Sequence, residues 1–349
     1  VLNEDPRRER AGRVTILDVA AAAGVSKSTV SRVLDERLPR SESETAQRVR
    51  QVAAELGYFR DVSAASLRRG KTNTIGVIVP RLTDTVMAML YEAVARACGE
   101  RGLFAIVATT NDDPMADRTA ADTLLRQGVD GLILSTTRDD DDMAKELAEK
   151  GVSYVLALRT DGASLSAVGD DNLGGYLATR HLIDLGHRRI GIIAGPAYAS
   201  SARGRLDGYR RAMAEAELPV DPAWVASSSF DIESGGAAAE QLMAAANPPT
   251  AIFAINDNTA IGALSRLAQF GLSVPGDISL VGYNDIPIVR RLPTPLTTVR
   301  VPFDQIAGAA LDLLLAPTLP PASRRVRKAT PTLIPRKSTA PARDRPLPG

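Results

Sequence analysis

Residues 15–34 read TILDVAAAAGVSKSTVSRVL, and their types and spacing suit recognition of a polyanion better than the making of bonds. Two short helical stretches flank Gly24-Val25. Ala20 is small enough to let them cross closely, Gly24 can take the positive φ of a tight turn, and Ser26 can cap the second stretch by accepting a backbone hydrogen bond. Val30, Val33 and Leu34 recur at helical spacing and should turn inward, which leaves Lys27, Ser28, Ser31 and Arg32 facing out. An exposed edge of such donors at the N-terminal end of a helix is what reading base edges in a major groove requires, and arginine is the best reader of guanine. On the motif alone, a helical hairpin with a solvated polar face is the competing reading.

Bond-making chemistry has little to work with. The chain holds one cysteine and two histidines. Cys98 can form neither an internal disulfide nor a cysteine-based metal site, and its apolar helical surroundings predict an inert buried thiol. His181 lies inside a helical run and His187 follows the Gly186 cap, so both read as structural. A parallel sheet would suit a nucleotide-dependent enzyme, but no G-x-G-x-x-G follows a strand, and Gly24-Val-Ser-Lys27-Ser lacks the glycine before lysine that a phosphate loop needs. The acidic run Asp139 to Asp142 reads as a solvated helix N-terminus rather than a metal site. We therefore expect no enzyme activity, no cofactor and no metal.

The elements that must position the donor edge come next. A chain of 349 residues exceeds what one core organises, so two or three domains are expected. With 44% hydrophobic and 24% charged residues, the composition is that of a globular protein and excludes wholesale disorder. No run is long and apolar enough to span a bilayer, and residues 1–13 are polar and charged, which predicts a cytoplasmic protein without membrane contact. Charge is unevenly spread: residues 1–71 hold 14 Lys and Arg against 10 Asp and Glu, residues 72–320 hold 20 against 30, and residues 321–349 hold 8 against 1. A basic N-terminal module on an acidic body points to a polyanion partner for the module.

Three small helices fit residues 14–56, and residues 57–71 read as a basic linker. Beyond it, apolar runs at 75–79, 104–108, 131–134 and 154–158 alternate with helical stretches at 86–101, 115–127 and 141–150. A second series places strands at 189–194, 224–228, 251–255 and 278–281 among helices at 173–185, 201–217, 233–246 and 259–270. Such alternation means parallel strands with crossover helices, here in two similar halves. Gly128, Gly151, Gly186 and Gly271 each stand where a left-handed helix cap belongs. After Pro293-Thr-Pro295, a strand at 296–299 and a helix at 303–315 predict that the chain crosses back between the halves.

At this point the sequence resembles the lactose-repressor/galactose-repressor (LacI/GalR) family of bacterial transcription regulators. The matching blocks are LDVAAAAGVSKSTVSRVLD, LGYFRDVSAASLRRGKTNTIGVIVP, HLIDLGHRRIGIIAGP, AIFAINDNTAIGAL, DISLVGYND, PLTTVRVP and a late RKST, in family order from residue 14 to residue 339. The resemblance implies an all-α helix-turn-helix domain over 12–59, a hinge helix and linker over 60–71, and an effector-binding and dimerisation body over 72–339 of the α/β periplasmic-binding-protein-like kind. That body divides into doubly wound parallel-sheet subdomains at about 72–161 and 162–291, crossing segments occupy 292–339, and 340–349 reads as a Pro-rich disordered tail. It further implies a homodimeric repressor of double-stranded operator DNA, controlled by a small molecule in the cleft. An exported two-lobed binding protein without a DNA role is the alternative.

Carried onto this chain, the family pattern makes Lys27, Ser28 and Arg32 base readers and Thr15, Ser26 and Ser31 phosphate contacts, which fix register without reading sequence. The stretch 63–69 is too short to be a stable helix alone. In the family, the residue matching Leu67 wedges into the minor groove while small residues such as Ala64 permit close approach, with Arg68 and Arg69 placed for phosphates. Family matches and loop positions after strands assign the cleft to Asp170, Asn172, Arg203, Arg205, Phe230, Asn256, Asn284 and Asp285. Carboxylates, amides, a guanidinium fork and an aromatic face suit a sugar or sugar-like effector. One departure matters: many relatives carry an aromatic near the start of the first helix of the body, where this chain reads PRLTDTVM over 80–87. Thr83, Asp84 and Asn111 are the expected replacements.

Overall fold

Three short helices, α1 (Ile16–Ala23), α2 (Lys27–Val33) and α3 (Glu44–Glu55), build the N-terminal unit. Val19, Ala20 and Ala23 of α1 bury against Val30 of α2 and Val49 and Ala53 of α3. Gly24 turns the chain at φ 63°, and the Ser26 hydroxyl caps α2 by accepting from the Thr29 backbone N–H at 3.2 Å. The computed structural model describes residues 14–35, 38–58 and 71–342, and the chain divides into two units, Val1–Thr72 and Asn73–Gly349. Ala64, Leu67, Arg68 and Arg69, and with them the hinge helix, lie outside the described residues.

In the second unit, the first sheet contains β1 (Thr74–Val79), β2 (Phe104–Thr109), β3 (Gly131–Leu134), β4 (Tyr154–Ala157) and β5 (Ser166–Gly169). The helices α4 (Thr85–Glu100), α5 (Pro114–Arg126) and α6 (Met143–Glu149) connect them. The alternation within β1 shows why both faces are covered. Ile75, Val77 and Val79 pack with Leu90 and Val94 of α4, whereas Ile78 packs with Leu124 of α5 and Leu147 of α6.

The second half follows as α7 (Asp171–Asp184), β6 (Ile190–Ala194), α8 (Ser200–Glu215), β7 (Val225–Ser227), α9 (Ile232–Met243), β8 (Ala251–Ala254), α10 (Asp257–Gln269) and β9 (Ser279–Asn284). β10 (Thr297–Arg300) extends that sheet, α11 (Phe303–Leu314) returns to pack on α4 of the first half, β11 (Val326–Ala329) joins the first sheet and β12 (Thr332–Ile334) the second. The orders are β11-β5-β4-β3-β1-β2 and β12-β10-β9-β8-β6-β7, with β12 alone antiparallel to its neighbour. Because β5 pairs with β4, the first half runs through Gly169 rather than ending near 161, and β10 carries the second half past 291.

The C-terminal segment is also held further than expected. Ser338 bridges Leu280 and Thr297, Ala340 accepts from His187 at 3.1 Å and donates to Ser279 at 3.0 Å, and the Ala342 N–H donates to Leu185 at 2.8 Å. Residues 340–342 therefore belong to the folded body, and 343–349 lie outside the described residues. His181 meets Thr339 at 3.0 Å, and burial lowers both imidazoles below their ordinary pKa, so they act as neutral pins for this segment.

Candidate functional site

The exposed edge of α2 is the first site. Lys27, Ser28 and Arg32 are exposed and Ser31 half-buried, while Val30 is fully buried against α1. Two of the expected phosphate contacts are committed within the unit. Thr15 donates both its backbone N–H and its hydroxyl to Asp18 at 2.7 Å, and the Ser26 hydroxyl lies 2.8 Å from that of Ser28 and 2.9 Å from that of Thr29. Arg48, which the sequence reading did not single out, closes the end of α1 by donating to the Ala23 carbonyl at 3.2 Å.

The second site is a cavity of about 490 Å³ at the C-terminal ends of the strands of both halves, where open α/β sheets place ligands. Thr83, Asp84 and Asn111 line it from the first half, and Arg205, Phe230, Asn256 and Asn284 from the second. Arg205 is buried and triply held: its Nε donates to Asp171 at 2.8 Å, its Nη1 to the Ile255 carbonyl at 2.8 Å, and its guanidinium lies 3.8 Å from the Tyr283 ring centre. Burial raises the Asp171 carboxyl, against the opposing pull of Arg205. Asn256 lines the cavity but spends its amide on structure, capping α10 through Thr259 at 2.8 Å and donating to the Phe230 carbonyl at 2.9 Å. Phe230 and Asn284 hold positive φ, 70° and 106°, a conformation that costs energy in these residue types.

Four expected cleft residues lie elsewhere, each for a visible reason. Asp170 caps α7 through the Leu173 N–H at 3.2 Å and sits 3.8 Å from Lys328. Asn172 accepts from Arg211 at 2.6 Å. Arg203 pairs with Asp139 and donates to the Ala197 carbonyl at 2.9 Å. Asp285 is clamped between Arg300 at 2.7 Å and Arg336 at 2.5 Å, which fastens the crossing segments to the second sheet.

Sequence reasoning missed a cluster that lines the cavity. Arg159 forks onto Asp112 at 2.8 and 3.0 Å, and the Tyr198 hydroxyl donates to the same carboxylate at 2.9 Å. Arg138 stacks 3.6 Å from the Tyr198 ring centre. The aromatic surface absent from the start of α4 is thus supplied by Tyr198 and Phe230 of the other half. Arg138 and Arg159 each follow the end of a parallel strand, a positional signal that would have found them. The acidic run is not merely solvated: Asp139 pairs with Arg203, Asp140 with Arg138 at 2.8 Å and Asp141 with Arg118 at 2.8 Å. Among the described residues no cluster of acidic, histidine or cysteine side chains could hold a metal ion.

Bonds across the cleft join the halves. They include Tyr198 to Asp112, the Thr160 N–H to Ser200 at 2.9 Å, and Asn258 to Asp84 at 3.1 Å. A two-lobed parallel α/β body with a ligand-sized cleft, preceded in the chain by a helix-turn-helix unit, defines the class of ligand-responsive regulators. Models of known families match the chain twice, residues 15–61 as bacterial regulatory proteins of the lacI family and residues 179–339 as a periplasmic binding protein-like domain. The ribose operon repressor of Escherichia coli strain K12 is 36% identical over 330 residues, 93% of this chain and 99% of the relative. The lac repressor dimer bound to operator and the anti-inducer ONPF shares 29% identity at a TM-score of 0.82, covering 94% of this chain and 100% of that one. A LacI family regulator from Enterococcus faecium with bound ribose matches at 26% identity and a TM-score of 0.67, over 77% of this chain and 100% of that one. The chain belongs to the lacI family of bacterial regulatory proteins.

Proposed function

We propose that this protein is a sequence-specific transcriptional repressor whose hold on operator DNA is set by a sugar or sugar-like molecule in the cleft between the two halves. The observation that carries the reading is the cavity at the strand ends of a two-sheet body in a chain whose N-terminal unit exposes Lys27, Ser28 and Arg32 on one helix edge. Lys27, Ser28 and Arg32 read bases, and Thr15, Ser26 and Ser31 meet phosphates through whatever donors their internal bonds leave. Residues 60–71 form the hinge, with Leu67 as the wedge, Ala64 allowing close approach and Arg68 on phosphate. Two copies are needed for a pseudo-palindromic site, as the operator-bound dimer of the lac repressor illustrates. The protein works in the cytoplasm, where its DNA is. Of the described residues, no helix is long and apolar enough to cross a membrane.

The cleft serves binding rather than turnover. Arg138, Arg159 and Arg205 are tied into pairs with carboxylates, and both histidines are engaged in holding the C-terminal segment. A gel-shift assay on the DNA upstream of the protein's own gene, repeated over sugars, polyols and nucleobases, tests the reading. A shifted band that one compound strengthens or abolishes supports it. Equal retention of unrelated duplexes under all conditions points to a non-specific binder, and steady consumption of a bound compound points to an enzyme.

A further inference from the structure

The reading above leaves open what the cleft ligand carries, and the charge pattern of the cavity, which rests on that reading, narrows it. Four arginines border the space, Arg81, Arg138, Arg159 and Arg205, which by number alone would suit an anion. Three of them already have carboxylates. Arg159 forks onto Asp112, Arg138 meets both oxygens of Asp140 at 2.8 Å, and Arg205 holds Asp171 at 2.8 Å.

Asp84 is the opposite case. Its Oδ1 accepts from the Val86 backbone N–H at 3.0 Å and from the Asn258 amide at 3.1 Å, and no Lys or Arg side chain forms an ion pair with it among the described residues. The carboxylate lines the cavity, half-buried, and among the described residues no protein donor meets its Oδ2. Arg81 and Arg159 act on it only from beyond ion-pair distance. A half-buried carboxylate that lacks a direct ion pair gains most from a cationic group on the ligand, which replaces its water with a charge-assisted hydrogen bond.

We propose that the effector is an amine-bearing polyol of the amino-sugar class, its ammonium paired with Asp84 and its hydroxyls held by Arg205 and Asn284. A neutral sugar donating two hydroxyls to Asp84 is the rival, and a sugar acid is disfavoured because Arg138, Arg159 and Arg205 already hold carboxylates, which leaves it only the exposed Arg81 among the described lining residues.

Isothermal titration calorimetry on the full chain separates them, using matched sets: glucose, glucosamine and glucuronate; galactose, galactosamine and galacturonate; and the β-1,4 dimers of glucose and of glucosamine. The amine member of at least one set should bind about tenfold or more tighter than its neutral partner, as a charge-assisted pair requires, with no heat from the acid. Asp84→Asn, which keeps a good helix-capping residue, should shrink that preference to below about twofold. Binding led by a neutral or acidic member, or an amine preference that survives Asp84→Asn, overturns the proposal. In those cases, binding that Arg205→Lys weakens still leaves the cleft as the effector site. Silence from every compound overturns the proposal, and retention of operator control by cell extract would then show that the cleft takes another chemistry.

Discussion

Arg32 stands exposed one turn beyond Ser28, on the edge of α2 that the buried Val30 turns away from its own core. A base-reading role predicts that Arg32→Ala costs about 1–3 kcal/mol in operator affinity and relaxes preference at one position per half-site. Anisotropy against a set of single-base operator variants measures this, and equal weakening on all of them would reduce Arg32 to a backbone contact. In the body, Arg205→Ala strands a buried Asp171, so urea denaturation should show a loss of about 3–5 kcal/mol. A loss below about 1 kcal/mol would mean that solvent screens the pair. Asp257, buried with Thr298 donating at 2.6 Å and the Ile286 N–H at 2.8 Å, is pushed up to about 7 by burial. Its folded-state value lies above the unfolded one, so the folded state holds the proton more tightly. Its contribution therefore makes stability fall as pH rises from about 4 through about 7. Denaturation midpoints across that range should show the decline, and Asp257→Asn should flatten it. At this scale the sequence was half legible. Asn284 could be placed because it ends a strand within a recognisable block, and Arg205 because it sits in the helix that follows the strand Ile190–Ala194. Asp170 and Asp285 could not be told from ligand contacts, because a capping or clamping carboxylate at a strand end looks the same in one dimension.

The element that aims Arg205 depends on a close helix crossing. α7 and α8 approach so closely that a Cβ on Gly175 would overlap the backbone carbonyl oxygen of Arg205 itself, and one on Gly208 the carbonyl oxygen of Asn172. Gly175→Ala should therefore cost about 1–3 kcal/mol and shift Arg205, weakening ligand binding in calorimetry at temperatures where the variant remains folded. Unchanged affinity together with unchanged stability would show that the helices can part freely. The longer elements were legible because both sheet faces are covered, which turns strands such as Thr74–Val79 into continuous apolar runs between periodic helices. β5, β11 and β12 were not. They have three or four residues each, with sequences SAVG, VRKA and TLI, and the first offers too little apolar content, the second exposed charges at a sheet edge. Missing β5 is what misplaced the boundary between the halves.

For the whole molecule, the chain passes from one sheet to the other after β5, after β10 and again between β11 and β12, so a change in the cleft angle moves all of these connections together. Family blocks made this architecture legible, while the cross-cleft bonds of Tyr198 and Asn258 arise from the three-dimensional approach of distant segments and left no local trace. Operator DNA and the cleft ligand are two binding partners of one body, and their coupling must be reciprocal, of about 1–3 kcal/mol in regulators of this kind. The most direct test is an anisotropy titration of the intact protein on duplexes from the region upstream of its gene, run with and without the compound that calorimetry shows to fill the cleft. The account predicts sequence-selective, salt-sensitive binding whose dissociation constant the compound shifts about 5- to 150-fold in one direction. An unshifted curve at saturating compound, on DNA that the protein does select, would contradict it.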